Sequence, residues 1–92
     1  MELIFRPKFH REFDKVSNKH IIQRLNVIFK QIEKASDIQQ IGELKKLEKY
    51  SSYYRIRIKI SEHYDYRLVL MIRHNKVWAE SIALANKIFY KR

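Results

Sequence analysis

The sequence predicts an α+β domain in which an N-terminal strand and two helices precede a three-stranded antiparallel sheet. Apolar residues recur every three or four positions in the first part of the chain and at every second position later on. These are the periods of a helix and of a strand, respectively. The helices precede the sheet strands instead of alternating with them, which is typical of a two-layer α+β domain. With 92 residues, the chain has about the length of one domain, so we expect a single domain over 1–92.

The first two elements are short. Leu3–Phe5 is an apolar run that favours a strand. Pro7 follows it, and proline is favoured in the first turn of a helix. Phe9, Phe13 and Val16 then recur at helical spacing.

The second helix has the clearest pattern. Asn18 is a suitable cap for its start, and Ser36 and Asp37 mark its end. The apolar stripe consists of Ile21, Leu25, Ile28, Ile32 and Ala35. The short connection to the first helix predicts an antiparallel helical hairpin.

Beyond a turn expected at Gly42 and a basic segment at 44–49, the apolar period changes from 3.6 to 2. The first sheet strand alternates strictly, with Tyr54, Ile56, Ile58 and Ile60 predicted to point inward and Arg55, Arg57 and Lys59 outward. The other elements are predicted as a loop at Ser61–Asp65, a strand at Tyr66–Arg73, a turn at His74-Asn75, a strand at Lys76–Leu84 and a short basic tail at Ala85–Arg92.

The charge balance indicates an anionic partner. The chain carries 20 Lys and Arg against 10 Asp and Glu, a formal net charge of +10, for which nucleic acid, an anionic membrane or an acidic protein are the usual partners. The excess is larger beyond position 50, so we expect a polyanion to bind there. The alternative is a solvated basic surface without a specific ligand.

Several classes of function are excluded. The chain has no cysteine, which rules out disulfides, thiolate metal sites and thiol nucleophiles. There is no phosphate-binding loop, no histidine pair at metal-ligand spacing and no carboxylate pair for two-metal chemistry, so we expect neither a metal nor a small-molecule cofactor. No apolar run approaches the roughly 20 residues of a membrane span, and the N-terminus is unlike a signal peptide, so we expect no membrane association and a cytoplasmic location.

The basic residues of the later half suggest an RNA-binding surface. Arg55, Arg57 and Lys59 would project from one face at about 6.6–7 Å spacing, and guanidinium groups match phosphate oxygens. Arg67 and Arg73 would extend this row if they share its face, although partial burial of Arg67 would require an anionic partner such as Glu80. The rim candidates are Lys45, Lys46 and Lys49, and the aromatic residues available for base stacking are Tyr64, Phe89 and Tyr90. Such a surface is compatible with metal-free RNA cleavage, in which the 2′-hydroxyl attacks the adjacent phosphate.

Two runs carry a resemblance to a known family. The run KLEKYSSYYRIRIKISEHYDYRLVLMI resembles the signature of the RelE/ParE toxin superfamily, in its RelE-like branch. The run FHREFDKVSNKHIIQRLNVIF is similar to that family's helical hairpin. The resemblance covers essentially the whole chain.

The resemblance implies a toxin of a type II toxin–antitoxin system. RelE-like toxins cut mRNA in the ribosomal A site without a metal ion, in contact with 16S rRNA, and a cognate antitoxin neutralises them. By this resemblance the catalytic residues are Arg57, Arg67 and Tyr90, with Arg67 on the scissile phosphate. The expected RNA-binding residues are Arg55, which also matches the family's strand, and Lys46, Lys49, Lys59, Arg73 and Lys87, which follow from the charge pattern alone.

The C-terminal tail departs from the family pattern. Many members read roughly His-Arg-Lys-Asp-Ile-Tyr there, whereas this chain has LANKIFY at 84–90 and lacks the His-Arg pair. Lys87 is not a bidentate substitute for an arginine. Two alternatives therefore stay open. One is a weakened module that binds antitoxin or RNA without cleavage, and the other is a ParE-like inhibitor of DNA gyrase.

Overall fold

The computed structural model describes residues 1–47, 52–62 and 64–86. Its elements in chain order are β1 (Glu2–Phe5), α1 (Pro7–Phe13), α2 (Lys19–Lys34), a 3-10 turn (Ile38–Gln40), β2 (Lys45–Lys46), β3 (Tyr53–Lys59), β4 (Tyr64–Arg73) and β5 (Lys76–Asn86). Two helices and a sheet of mainly antiparallel strands confirm the predicted α+β class. Within the described ranges, no helix is long and apolar enough to cross a bilayer.

The strands form one mixed sheet in the order β1-β5-β4-β3-β2. β3, β4 and β5 are the predicted antiparallel meander, whereas β1 pairs in parallel with β5. Parallel neighbours require a long crossover connection, and α1, α2, β2 and the first two meander strands all lie between β1 and β5 in the chain. β2 extends the sheet at its other edge by two residues of the segment for which only basic character had been predicted.

The helices cover one face of the sheet. Phe9 of α1 and the α2 stripe, including Ile21 and Leu25, belong to one buried cluster with strand residues such as Ile56 and Leu68. The members of this cluster in β3, and in β4 as far as Leu70, occupy every second position of each strand. This alternation is expected when one face of a strand packs against a core and the other face does not. We call the face opposite the helices the open face.

The ends of α2 agree with the prediction. Asn18 caps the helix, since its side chain accepts a hydrogen bond from the backbone N–H of Ile21 at 3.2 Å. Ala35 is the C-terminal cap in an extended conformation, so the helix stops where Ser36 and Asp37 begin the next connection.

The predicted turns are both present. His74 and Asn75 have φ angles of 53° and 63°, the left-handed pair that a two-residue hairpin turn requires. In the turn at Gly42, the positive φ of 60° belongs to Glu43 and not to the glycine.

Three boundaries differ from the prediction. β4 begins at Tyr64, so placing Tyr64 and Asp65 in a loop was wrong, because Asp65 pairs with Lys59 of β3. β5 continues beyond Leu84 to Asn86, which pairs with Tyr64. Ile60 was expected to point into the core, but it lies past the end of β3 and is 38% exposed.

Candidate nucleic-acid interface

Four cations from two neighbouring strands lie together on the open face. Arg57 of β3 lies directly opposite Arg67 of β4, and Arg55 and Lys59 occupy the alternate positions on either side of Arg57. Residues opposite each other in an antiparallel pair share a face, and none of the four belongs to the buried cluster under the helices. We call Arg55, Arg57, Lys59 and Arg67 the cationic row. The prediction that the β3 cations and Arg67 share a face is confirmed.

The geometry of the cationic row is suited to a phosphate chain. Its β3 members are spaced at about 6.6–7 Å along the strand, and Arg57 and Arg67 have Cβ atoms about 4.5–5.5 Å apart across the strands. Two like charges separated by 4 Å repel by about 1 kcal/mol in water and about 4 kcal/mol at the effective dielectric constant of a protein surface. An anion bound between Arg57 and Arg67 would relieve that repulsion.

One carboxylate lies within the cationic row. Asp65 pairs with Lys59 and stands two residues before Arg67 on β4, so it belongs to the same face. It is 1% exposed, and its Oδ2 lies 4.0 Å from the Nε of Arg57. Sequence reasoning missed Asp65 because it was assigned to a loop. Its two-residue separation from Arg67 is the signal that would have placed it on this face.

The cationic row continues to the edge strand through Lys45. Lys45 pairs with Arg55, whereas Lys46 pairs with Tyr54. Lys45 therefore lies on the open face, and Lys46 is exposed on the side of the helices. Of these two predicted rim residues, the structure brings Lys45 to the row and leaves Lys46 on the other face.

Arg73 lies on the open face but far from the cationic row. It is six residues beyond Arg67 on the same strand, which corresponds to roughly 20 Å. Its guanidinium donates a hydrogen bond to the Ser52 hydroxyl at 3.2 Å. Val69 and Met71 occupy the intervening positions on this face, so Arg73 does not extend the row.

The aromatic residues are distributed differently from the expectation. Tyr64 is 43% exposed but alternates with Asp65, so it lies on the side of the helices. Tyr53, which sequence reasoning missed, is opposite Met71 on the open face. Lys49, Lys87, Phe89 and Tyr90 lie outside the described residues.

Glu80 does not serve as the partner suggested for Arg67. Its carboxylate accepts a hydrogen bond from the Nε of Arg6 at 3.0 Å, and the Arg6 guanidinium also lies over the Trp78 ring, 5.6 Å from its centroid. Glu80 is the extra residue where the β4–β5 register shifts. Glu80 therefore pairs with Arg6, the residue that follows β1, instead of with Arg67.

The described residues provide no metal site. Nowhere in 1–47, 52–62 and 64–86 do three or more His, Cys, Asp or Glu residues gather in a way that could hold an ion. The cationic row offers fixed positive charges and N–H donors.

Solved structures with the same architecture are known. A chain of the RelB–RelE antitoxin–toxin complex from Methanococcus jannaschii superposes with a TM-score of 0.70 at 19% identity, covering 96% of this chain and 95% of that one. This chain has a RelE-like fold. A chain of the intact E. coli RelBE toxin–antitoxin complex matches it with a TM-score of 0.66 at 21% identity, over 89% of this chain and 93% of that one.

The RelE-like fold extends over almost the full length of the chains compared, so the architecture as a whole is shared and not a single motif. No protein-family model matches this chain, and no curated protein matches it significantly. The fold that the YRIRI and YRLVL strands led us to expect is confirmed by the structural comparison.

Proposed function

We propose that this protein is the toxin of a toxin–antitoxin pair and that it cleaves mRNA on the ribosome with its cationic row. The observation that carries the proposal is the placement of four cations of β3 and β4 on the face that the helices leave open. The RelE-like fold supports it, because the chains that share this fold come from antitoxin–toxin complexes.

The reaction needs only groups that RNA and this chain supply. The 2′ oxygen forms a bond to the adjacent phosphorus while the bond from phosphorus to the 5′ oxygen breaks, which leaves a 2′,3′-cyclic phosphate and a 5′-hydroxyl. One proton leaves the 2′-hydroxyl and one is delivered to the 5′ oxygen. The protein must align the attack and stabilise the charge that develops on the phosphate.

Each member of the cationic row has a proposed part in this reaction. Arg57 and Arg67, opposite each other, bind the non-bridging oxygens of the scissile phosphate, and removing one such donor costs on the order of 10²–10³ in rate. Arg55 and Lys59 hold the neighbouring phosphates. For proton transfer or base stacking we propose Tyr90. Lys49, Arg73 and Lys87 are proposed as supporting cations along the mRNA, and Lys46, on the helix side, as a contact to 16S rRNA.

The proposed antitoxin acts by covering the cationic row. A protein segment with acidic residues would neutralise the same side chains that hold the phosphates, so binding of RNA and antitoxin would be mutually exclusive. The proposed reaction uses no small-molecule cofactor and no metal. Because its substrate is mRNA on the ribosome, we propose that the protein acts in the cytoplasm.

The test uses purified protein and ribosomes programmed with a defined mRNA. We expect the wild type to cut the mRNA, Arg67→Ala to cut at least 100-fold more slowly, and Lys30→Ala to match the wild type. Lys30 is an exposed cation of α2, so this variant removes the same charge away from the open face. Intact mRNA with the wild-type protein would overturn the proposal.

The tail favours a second candidate. The run 84–90 lacks the His-Arg pair that many RelE-like proteins have there, which suggests a module that binds RNA or antitoxin without cleaving. Binding to programmed ribosomes without mRNA cleavage would select this candidate. Accumulation of cleaved DNA–gyrase complexes with intact mRNA would instead select a gyrase inhibitor.

A further inference from the structure

Asp65 is the one buried charged residue in the part of the chain that the structure describes. Its side chain lies on the open face, where its strand neighbours are the cations of the row. Taking a carboxylate out of water is unfavourable unless positive charge lies close to it. Asp65 is 1% exposed, and the positive charge that the described residues place close to it is that of the cationic row.

The contact is with the arginine at the centre of the row. The Nε of Arg57 lies 4.0 Å from Oδ2 of Asp65, and the Arg57 side chain is still 44% exposed while Asp65 is covered. Neither carboxylate oxygen of Asp65 accepts a hydrogen bond from the described residues, so Asp65 acts on Arg57 mainly through its charge. One end of this pair is fixed inside the sheet and the other reaches solvent.

We propose that Asp65 is a positioning residue that holds the Arg57 guanidinium in place for the scissile phosphate. This inference rests on the proposed function. The buried carboxylate restrains a long, flexible cation before RNA arrives, and it offsets one of the like charges that the strand pairing brings together. Four cations and one carboxylate leave the row strongly positive, so its attraction for phosphate persists.

Asp65 itself does not touch RNA. A side chain with 1% exposure has no surface to offer to a substrate on the open face, and a carboxylate in contact with a bound phosphate would repel it. Its effect on the reaction must pass through Arg57. The neutral, nearly isosteric variant Asp65→Asn loses both the restraint on Arg57 and the negative charge. We therefore expect it to bind RNA at least as tightly as the wild type but to cleave it more slowly.

The first expectation concerns binding. Removing a negative charge from the row should leave the affinity for a single-stranded RNA equal to that of the wild type or up to a few times higher at low salt. Glu62→Gln is the matched control, because Glu62 is an exposed carboxylate shortly before β4 and the change in charge is the same. Both variants should show the same modest change in affinity.

The second expectation concerns the rate of cleavage at saturating ribosomes. Asp65→Asn should lower it at least 10-fold, whereas Glu62→Gln should leave it unchanged. In an Arg57→Ala background, Asp65→Asn should have no further effect on the rate, because coupled residues are not additive. A purely structural role would instead lower affinity and rate together, in both backgrounds, along with the melting temperature.

A measurement on the wild-type protein keeps the inference testable if Asp65→Asn does not fold. NMR relaxation of the arginine Nε–H groups, without RNA, should show Arg57 to be ordered and the exposed Arg11 of α1 to be mobile. If Arg57 is as mobile as Arg11, or if Asp65→Asn cleaves at the wild-type rate, the inference is wrong while the proposed function stands. If the wild type does not cleave mRNA, the proposed function fails, and the comparison of Arg57 order between the wild type and Asp65→Asn decides whether Asp65 positions it.

Discussion

Binding of RNA to the cationic row should release counterions in proportion to the cations that contact phosphate. The perturbation that tests this is the double variant Arg57→Ala/Arg67→Ala, which removes the two guanidiniums that face each other across β3 and β4. Both side chains lie on the open face outside the buried cluster, so the double variant should lose part of the electrostatic attraction. Because it also removes the cation beside the buried Asp65, we expect it to melt at a lower temperature than the wild type while remaining folded at about 25 °C.

The magnitude follows from the number of cations in the row. For single-stranded nucleic acid, each neutralised phosphate contributes about −0.7 to the slope of log K against log salt. Four contacts give a slope of about −2.8, so affinity should fall ~50-fold between about 50 and 200 mM salt. Two contacts give a slope of about −1.4 and a fall of only ~7-fold over the same range.

Fluorescence anisotropy with a short, labelled, single-stranded RNA across that range of salt measures both slopes. Lys30→Ala, which removes an exposed cation from α2, should leave the slope at the wild-type value, and thermal melting should show that all three proteins are folded. If the double variant keeps the wild-type slope, the phosphates do not lie on Arg57 and Arg67, and the proposed interface is wrong.

Three further predictions concern the fold that presents the row. Leu68→Ala, at a core position with 0% exposure, should lower the free energy of unfolding by about 2–5 kcal/mol in urea titration, and a smaller loss would mean that the core collapses around the cavity. Asn18→Ala removes the cap on the Ile21 N–H and should cost about 1 kcal/mol by the same assay, whereas Ser17→Ala, one residue earlier, should cost little. Asn75→Val places a β-branched residue at a φ of 63° and should cost about 1–3 kcal/mol, with Asn75→Gly tolerated; equal stability of the two variants would contradict the turn geometry.

The sequence predicted the meander well because its pattern is local. Alternation along Tyr54–Lys59 assigns Arg55 and Arg57 to one face without any knowledge of the partner strand. To predict that Arg67 lies opposite Arg57, one would need the register between β3 and β4. That register depends on where the strands begin. The same uncertainty displaced Asp65 into a loop, since a charged residue before an apolar run resembles a loop boundary.

Long-range pairings were not accessible from the pattern. β1 joins the sheet beside β5, more than 70 residues later in the chain, and no local period encodes such a pairing. The choice between Lys45 and Lys46 for the open face depends on the pairing of a two-residue edge strand. Arg73 has the right face but the wrong distance, because β4 is ten residues long and Arg73 stands at its end, six residues beyond Arg67.

The most direct test of RNA binding on the open face is to follow the arginine side-chain Nε–H signals while a non-cleavable, 2′-deoxy-substituted single-stranded oligonucleotide is added. We predict that the signals of Arg55, Arg57 and Arg67 shift together and saturate at one oligonucleotide per protein, while that of Arg11 on α1 does not move. Shifts confined to the helical arginines, or none at saturation, would contradict it.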